Sequence, residues 1–147
     1  MKIIIRTLLI IAFLAAILFY LTRLPGDKRV MQKKRLIETR LAQKGYKGGF
    51  IIISQKRHQW YNSLLTNSID RSNHLKGLAM DLWVMDLDGN GKWERNDIDL
   101  MVETINEIDR EHPELAGWIN TYTDKGFMAS RMVHFDIGGR RNPKYPE

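Results

Sequence analysis

The chain contains no cysteine in 147 residues, which excludes a disulfide scaffold, a zinc ribbon and a thiol nucleophile. Any bound metal must therefore be held by carboxylates and by the four histidines. Proline is scarce, at four residues, and neither an internal repeat nor a low-complexity tract is present. With 44% hydrophobic and 27% charged residues, the composition argues against a wholly disordered chain.

An excess of basic charge is also missing from most of the chain, although the formal net charge is +6. Lys2, Arg6, Arg23, Lys28, Arg29, Lys33, Lys34 and Arg35 face a single acid, Asp27, in the first 35 residues, a balance of +7. Residues 36–147 carry 15 cations and 16 anions. The basic character is thus confined to the N-terminal region, and no nucleic-acid partner is expected.

Charge is absent from Thr7 to Thr22, a run of 16 residues. With Ile3, Ile4, Ile5 and one tolerated Arg6, residues 3–22 approach the length of about 20 that a membrane-spanning helix needs. The expectation is a membrane anchor over residues 1–24, with a cleaved signal peptide as its competitor. The exit, Leu21-Thr22-Arg23-Leu24-Pro25, lacks a small-x-small cleavage pattern and favours the anchor. A basic juxtamembrane linker over 25–35 and a folded domain over 36–147 complete the expected organisation.

Within that domain, Leu36, Ile37 and Leu41 recur at helical spacing before Gly45. Phe50-Ile51-Ile52-Ile53 reads as a buried strand, 58–66 as a helix and Gly77–Val84 as a strand. Ile98, Met101, Val102, Ile105 and Ile108 mark an amphipathic helix over 98–111, ended by Pro113. Met132–Ile137 is a final strand. Mixed elements without βαβ regularity predict an α+β domain with a small, mainly antiparallel sheet.

The stretch Ser72–Asp81 is the most informative. Read as a strand, it aligns Gly77, Ala79 and Asp81 on one face, leaving space between His74 and the carboxylate. His134 and Asp136 share a face of the last strand in the same way. Two histidines and a carboxylate with an open fourth position form a catalytic rather than a structural zinc set. His58 and His112 read as surface residues, and Trp83, Trp93 and Trp118 as core or cleft wall.

The pattern SxHxxGxAxD, met by Ser72, His74, Gly77, Ala79 and Asp81, together with a late His-x-Asp, resembles a known family. It is similar to the zinc peptidases of bacterial cell walls: D-alanyl-D-alanine carboxypeptidases and L-alanyl-D-glutamate endolysins, which share the hedgehog-like fold. The resemblance spans about residues 36–142 and extends to Ile53-Ser54-Gln55-Lys56-Arg57. It implies that His74, Asp81 and His134 hold catalytic Zn2+ and that Arg57 clamps a substrate carboxylate. Many members carry an acid three residues before the last histidine, where this chain has Arg131. Asp136 is the best substitute as general base, or else a partner that orients His134.

Residues 86–97 match the EF-hand loop, with Asp86, Asp88 and Asn90 at positions 1, 3 and 5 and Gly91 at the turn. Lys92 offers its carbonyl at position 7, Glu94 stands at 9, and Asp97 replaces the usual Glu at 12. A structural Ca2+ is expected there. Residues 81–114 hold 11 acids against three bases, a charge that two divalent ions would relieve.

Together these features predict a membrane-anchored zinc peptidase acting on an amide bond of peptidoglycan peptides. It would be a single-pass protein of the bacterial inner membrane with its domain facing the periplasm or cell wall. Two alternatives stand beside it: a non-catalytic, metal-stabilised wall-binding or structural protein, and a phage lysis or virion-associated enzyme.

Overall fold

The computed structural model describes residues 2–22, 24–64, 72–122 and 125–138. The element order is α1 (Lys2–Thr22), α2 (Lys28–Gln43), β1 (Phe50–Ser54), α3 (Gln59–Leu64), α4 (Asn73–Lys76), β2 (Ala79–Val84), α5 (Arg95–Glu111), a 3-10 turn (Pro113–Leu115), β3 (Ile119–Thr121), α6 (Gly126–Ser130) and β4 (Met132–Asp136). The four strands form one antiparallel sheet in the order β1-β2-β4-β3, as the α+β expectation requires.

Alternation along the strands sets the core. Met80, Leu82 and Val84 of β2 and Val133 and Phe135 of β4 point to one face and are buried. Helix α5 lays Ile98, Met101, Val102, Ile105 and Ile108 into the same cluster, and α2 adds Val30, Ile37 and Leu41. Asp81 pairs with His134 across β2 and β4, so these two side chains share the opposite face.

The expected membrane anchor is corrected. Among the described residues, no helix is long and apolar enough to cross a membrane. Helix α1 is 21 residues long but includes Lys2 and Arg6. Its uncharged stretch of 16 residues rises about 24 Å, short of the roughly 30 Å hydrocarbon core. The membrane partner through residues 3–22, the single-pass inner-membrane location and the membrane-anchored form of the peptidase reading fall with it.

The linker expected over 25–35 is largely helix. Asp27 caps α2, its carboxylate accepting the Arg29 backbone N–H at 2.8 Å. Val30 and Lys33 in its first turns are fully buried. Lys33, which the charge pattern assigns to a basic flank, instead sends its ammonium into the core. There it pairs with Asp109 and donates to the carbonyls of Leu115 and Asp136.

The strand expected from Gly77 starts two residues later, because Ser72–Gly77 frames a helical turn. The Ser72 hydroxyl accepts the His74 backbone N–H at 3.3 Å, and Gly77 closes α4 in the left-handed region at φ +73°. The first-motif serine and glycine therefore act as caps that present His74 from a helix, not from a strand. The short strand β3 and helix α6 have too few residues to show a period. Leu65, Thr66 and the basic tail beyond 138 lie outside the described residues.

Candidate metal centre

Three elements bring His74 (α4), Asp81 (β2) and His134 (β4) together into a cluster able to coordinate a metal ion. His134 Nδ1 lies 2.8 Å from Asp81 Oδ1, His74 Nε2 lies 3.3 Å from the same oxygen, and the two ring nitrogens are 3.2 Å apart. Ligand atoms about 2.0–2.1 Å from a tetrahedral Zn2+ stand roughly 3.3 Å from one another, so the donor set fits a zinc-sized ion.

The segment leaving β1 orients this set. His74 Nδ1 lies 2.6 Å from the Gln55 carbonyl, an acceptor that fixes the proton on Nδ1 and turns the Nε2 lone pair toward Asp81 and His134. The Arg57 backbone N–H donates to the His74 carbonyl at 3.0 Å. Arg57 Nε donates to Ser54 Oγ at 2.7 Å, and its Nη2 donates to Asp81 Oδ2. A bulge in β1, between Ile52 and Ser54, puts Ser54 opposite Asp81.

Burial works against the Asp81 carboxylate and by itself raises its pKa. When the His134 and His74 rings are protonated, their hydrogen bonds and charge outweigh that and hold the group well below the ordinary carboxylate value. The side chains of Asp81 and His74 are each 3% exposed, whereas His134 is 15% exposed and marks the solvent side of the cluster.

Asp136 takes up a different position from that of a base facing the ion. Its Oδ1 accepts N–H groups from Trp118 at 2.7 Å and Gly138 at 2.9 Å, and its Oδ2 accepts the Asn73 side-chain amide at 2.6 Å. Gly117 permits this approach, since a Cβ there would stand 2.2 Å from the Asp136 carbonyl oxygen. Ala79, paired with Asp136 across the strands, is fully buried. Arg131, three residues before His134, stacks its guanidinium 4.6 Å from the Trp93 ring centroid.

Two further residues, Asn120 and Tyr122, neighbour the cluster. Asn120 of β3 pairs with His134 in the strand register. Tyr122 follows that strand, and its phenol is pushed up by burial and by the Asp81 charge, offset by an Asn120 hydrogen bond and the Arg57 charge. A three-residue strand gives too short an alternation to reveal either one.

A second cluster able to chelate a metal joins Asp86, Asp88 and Asp97. Asp86 accepts backbone N–H groups from Gly89, Asn90 and Gly91 at 2.9, 3.2 and 2.8 Å. Its carboxyl is raised by desolvation but lowered overall by the backbone hydrogen bonds from Gly91, Gly89 and Asn90. Asp97 is fully buried, and its two oxygens accept Leu87 N–H and Glu94 N–H, each at 2.7 Å. Of the other expected ligands, Asn90 bonds Asp88 Oδ2 through its amide, Lys92 N–H donates to Asn90 Oδ1, and Glu94 caps α5. The geometry does not assign zinc to one cluster and calcium to the other.

No family model, curated protein or solved structure matches the chain, so the metal assignment rests on the converging side chains themselves.

Proposed function

We propose that the chain is a metal-stabilised binding domain for peptidoglycan peptides, with an ion held by His74, Asp81 and His134. The observation that carries the metal is the triangle of ligand atoms 2.8–3.3 Å apart, with His74 fixed in the required tautomer. The peptidoglycan target rests on the SxHxxGxAxD and His-x-Asp resemblance. The engagement of the nearby acids supports a binding role. Asp136 is committed to three hydrogen bonds, Arg57 holds Asp81, and Arg131 stands where a general base is expected. In the Asp86 loop, a Ca2+ would brace the connection leaving β2.

A second reading is favoured by the partial exposure of His134: zinc-dependent hydrolysis of a stem-peptide amide. Zinc held by the three ligands supplies a water with a pKa of about 7. The chain's own part would be to hold the three ligands, with Arg57 and the Gln55 carbonyl orienting two of them, and to carry the proton through a group other than Asp136.

Both readings are tested by incubating the metal-loaded full chain with purified peptidoglycan. Metal-dependent co-sedimentation without new fragments in mass spectra supports the binding domain. Released stem peptides, lost in His134→Ala, establish hydrolysis. Co-sedimentation that survives metal removal and His74→Ala would defeat the metal-stabilised reading.

A further inference from the structure

Asp81 presents its two oxygens to different partners. Oδ1 faces both histidine nitrogens, at 2.8 and 3.3 Å, while Oδ2 accepts the Arg57 guanidinium. We propose that Arg57 is a positioning residue that restricts Asp81 to one oxygen toward the ion and thereby sets which divalent metals the site takes. The inference rests on the metal-binding reading above and adds a determinant of metal choice to it.

Arg57 is itself held in place. Its Nε is bonded to Ser54 Oγ, its backbone N–H to the His74 carbonyl, and its side chain is only 14% exposed. The planar guanidinium fork spans Ser54 and Asp81 at once, which a lysine ammonium on its flexible stem does not reproduce. The β1 bulge that puts Ser54 opposite Asp81 supplies the other end of this brace. Residues 54–57 thus orient two of the three ligands, His74 through the Gln55 carbonyl and Asp81 through Arg57.

The consequence for metal choice follows from donor number. With Oδ2 occupied, the chain offers two nitrogens and one oxygen, a set suited to the low coordination number of zinc. Release of Oδ2 would add a fourth protein donor and favour larger, oxygen-seeking ions that accept bidentate carboxylates. This role differs from that of a guanidinium held free to grip a substrate.

The test uses the metal-stripped full chain loaded with Co2+, whose visible absorption is strong in four-coordinate sites and weak in six-coordinate ones. Calorimetric titration with Zn2+ and Mn2+ accompanies it. The wild type is expected to show the strong spectrum and to prefer zinc. Arg57→Ala should weaken the band, lower zinc affinity about 10–100-fold and narrow the zinc-over-manganese ratio about tenfold. Arg57→Lys and Ser54→Ala should move in the same direction by less, and they carry the test should Arg57→Ala fail to fold. Wild-type spectra and metal ratios in the folded variants would overturn the role of Arg57 while leaving the metal site intact. Co2+ binding that is indifferent to His74→Ala and His134→Ala would instead defeat the metal site, and the role of Arg57 with it.

Discussion

Lys33 Nζ lies 2.6 Å from Asp109 Oδ1, with the two side chains 0% and 5% exposed. The ammonium also donates to the carbonyls of Leu115 at 3.1 Å and Asp136 at 3.2 Å, so one cation ties α2 to α5, the 3-10 turn and the end of β4. A buried charge whose partner is removed is costly, whereas an apolar pair in the same space is often tolerated. Lys33→Met should therefore destabilise the fold by about 3–5 kcal/mol, and Lys33→Met combined with Asp109→Leu should recover most of that loss. Urea denaturation of the single and double variants measures both. A single variant as stable as the wild type would remove the pair from the account.

The outer contact between the same helices gives a pH prediction. Glu107 accepts Lys44 Nζ at 2.7 Å and Arg40 Nη1 at 3.0 Å. Burial raises its pKa, but the Lys44 and Arg40 hydrogen bonds and charges outweigh this and lower it from the ordinary 4.5. A carboxyl depressed in the folded state stabilises above its unfolded pKa, and the contribution is lost as pH falls through the folded value. Glu107→Gln should cost about 0.5–1 kcal/mol at neutral pH. The gap in Tm between it and the wild type should then close as pH drops below about 4.5. A gap that persists unchanged at acidic pH would mean that Glu107 acts through packing alone.

The same contrast between local pattern and long-range placement explains what the sequence reveals. The period of Ile98, Met101, Val102, Ile105 and Ile108 identifies α5, because one helix face meets one core. The alternation in β2 and β4 brings Asp81 and His134 to one face, and their register makes them neighbours. Lys33 is unreadable in this way: its charge predicts solvent, and the acceptors that bury it come from residues 109, 115 and 136. Arg57 and Asp136 are legible as polar residues near a site. Their partners are not, since Ser54, Asn73 and Trp118 reach them through a bulge, the first turn of α4 and a close glycine contact. The apolar run of α1 misleads for a simpler reason: it reaches about 20 residues only when counted across Arg6, and the uncharged stretch alone is 16.

Asp136→Asn separates a catalytic base from a structural acceptor. The carboxylate serves three donors, from Trp118, Gly138 and Asn73. An amide has one oxygen, and its NH2 group would oppose a donor. The variant should lose about 1–3 kcal/mol of stability, measurable as a lower Tm by calorimetry, whether or not a metal is bound. Replacing Asn73 with Asp as well would restore an acceptor opposite the new amide and should recover part of the loss. An unchanged Tm in Asp136→Asn would return Asp136 to candidacy as a base.

The Asp86–Asp97 loop separates metal binding from loop folding, because its acids hold different positions. Asp88 is exposed and accepts hydrogen bonds from Asn90, whereas Asp97 is buried and closes both Leu87 N–H and Glu94 N–H. A divalent ion at about one hundred times its Kd should stabilise the wild-type chain by about 2.7 kcal/mol through this loop. Asp88→Ala should change metal-free stability by less than about 1 kcal/mol and abolish that increment. Asp97→Ala should cost about 2 kcal/mol or more before any ion is added, since Leu87 N–H in the loop after β2 and Glu94 N–H at the start of α5 both lose their acceptor. His134→Ala in the same titration isolates the second ion's contribution. Equal metal-dependent shifts in wild type and Asp88→Ala would show that the loop is closed by its own hydrogen bonds and takes no ion.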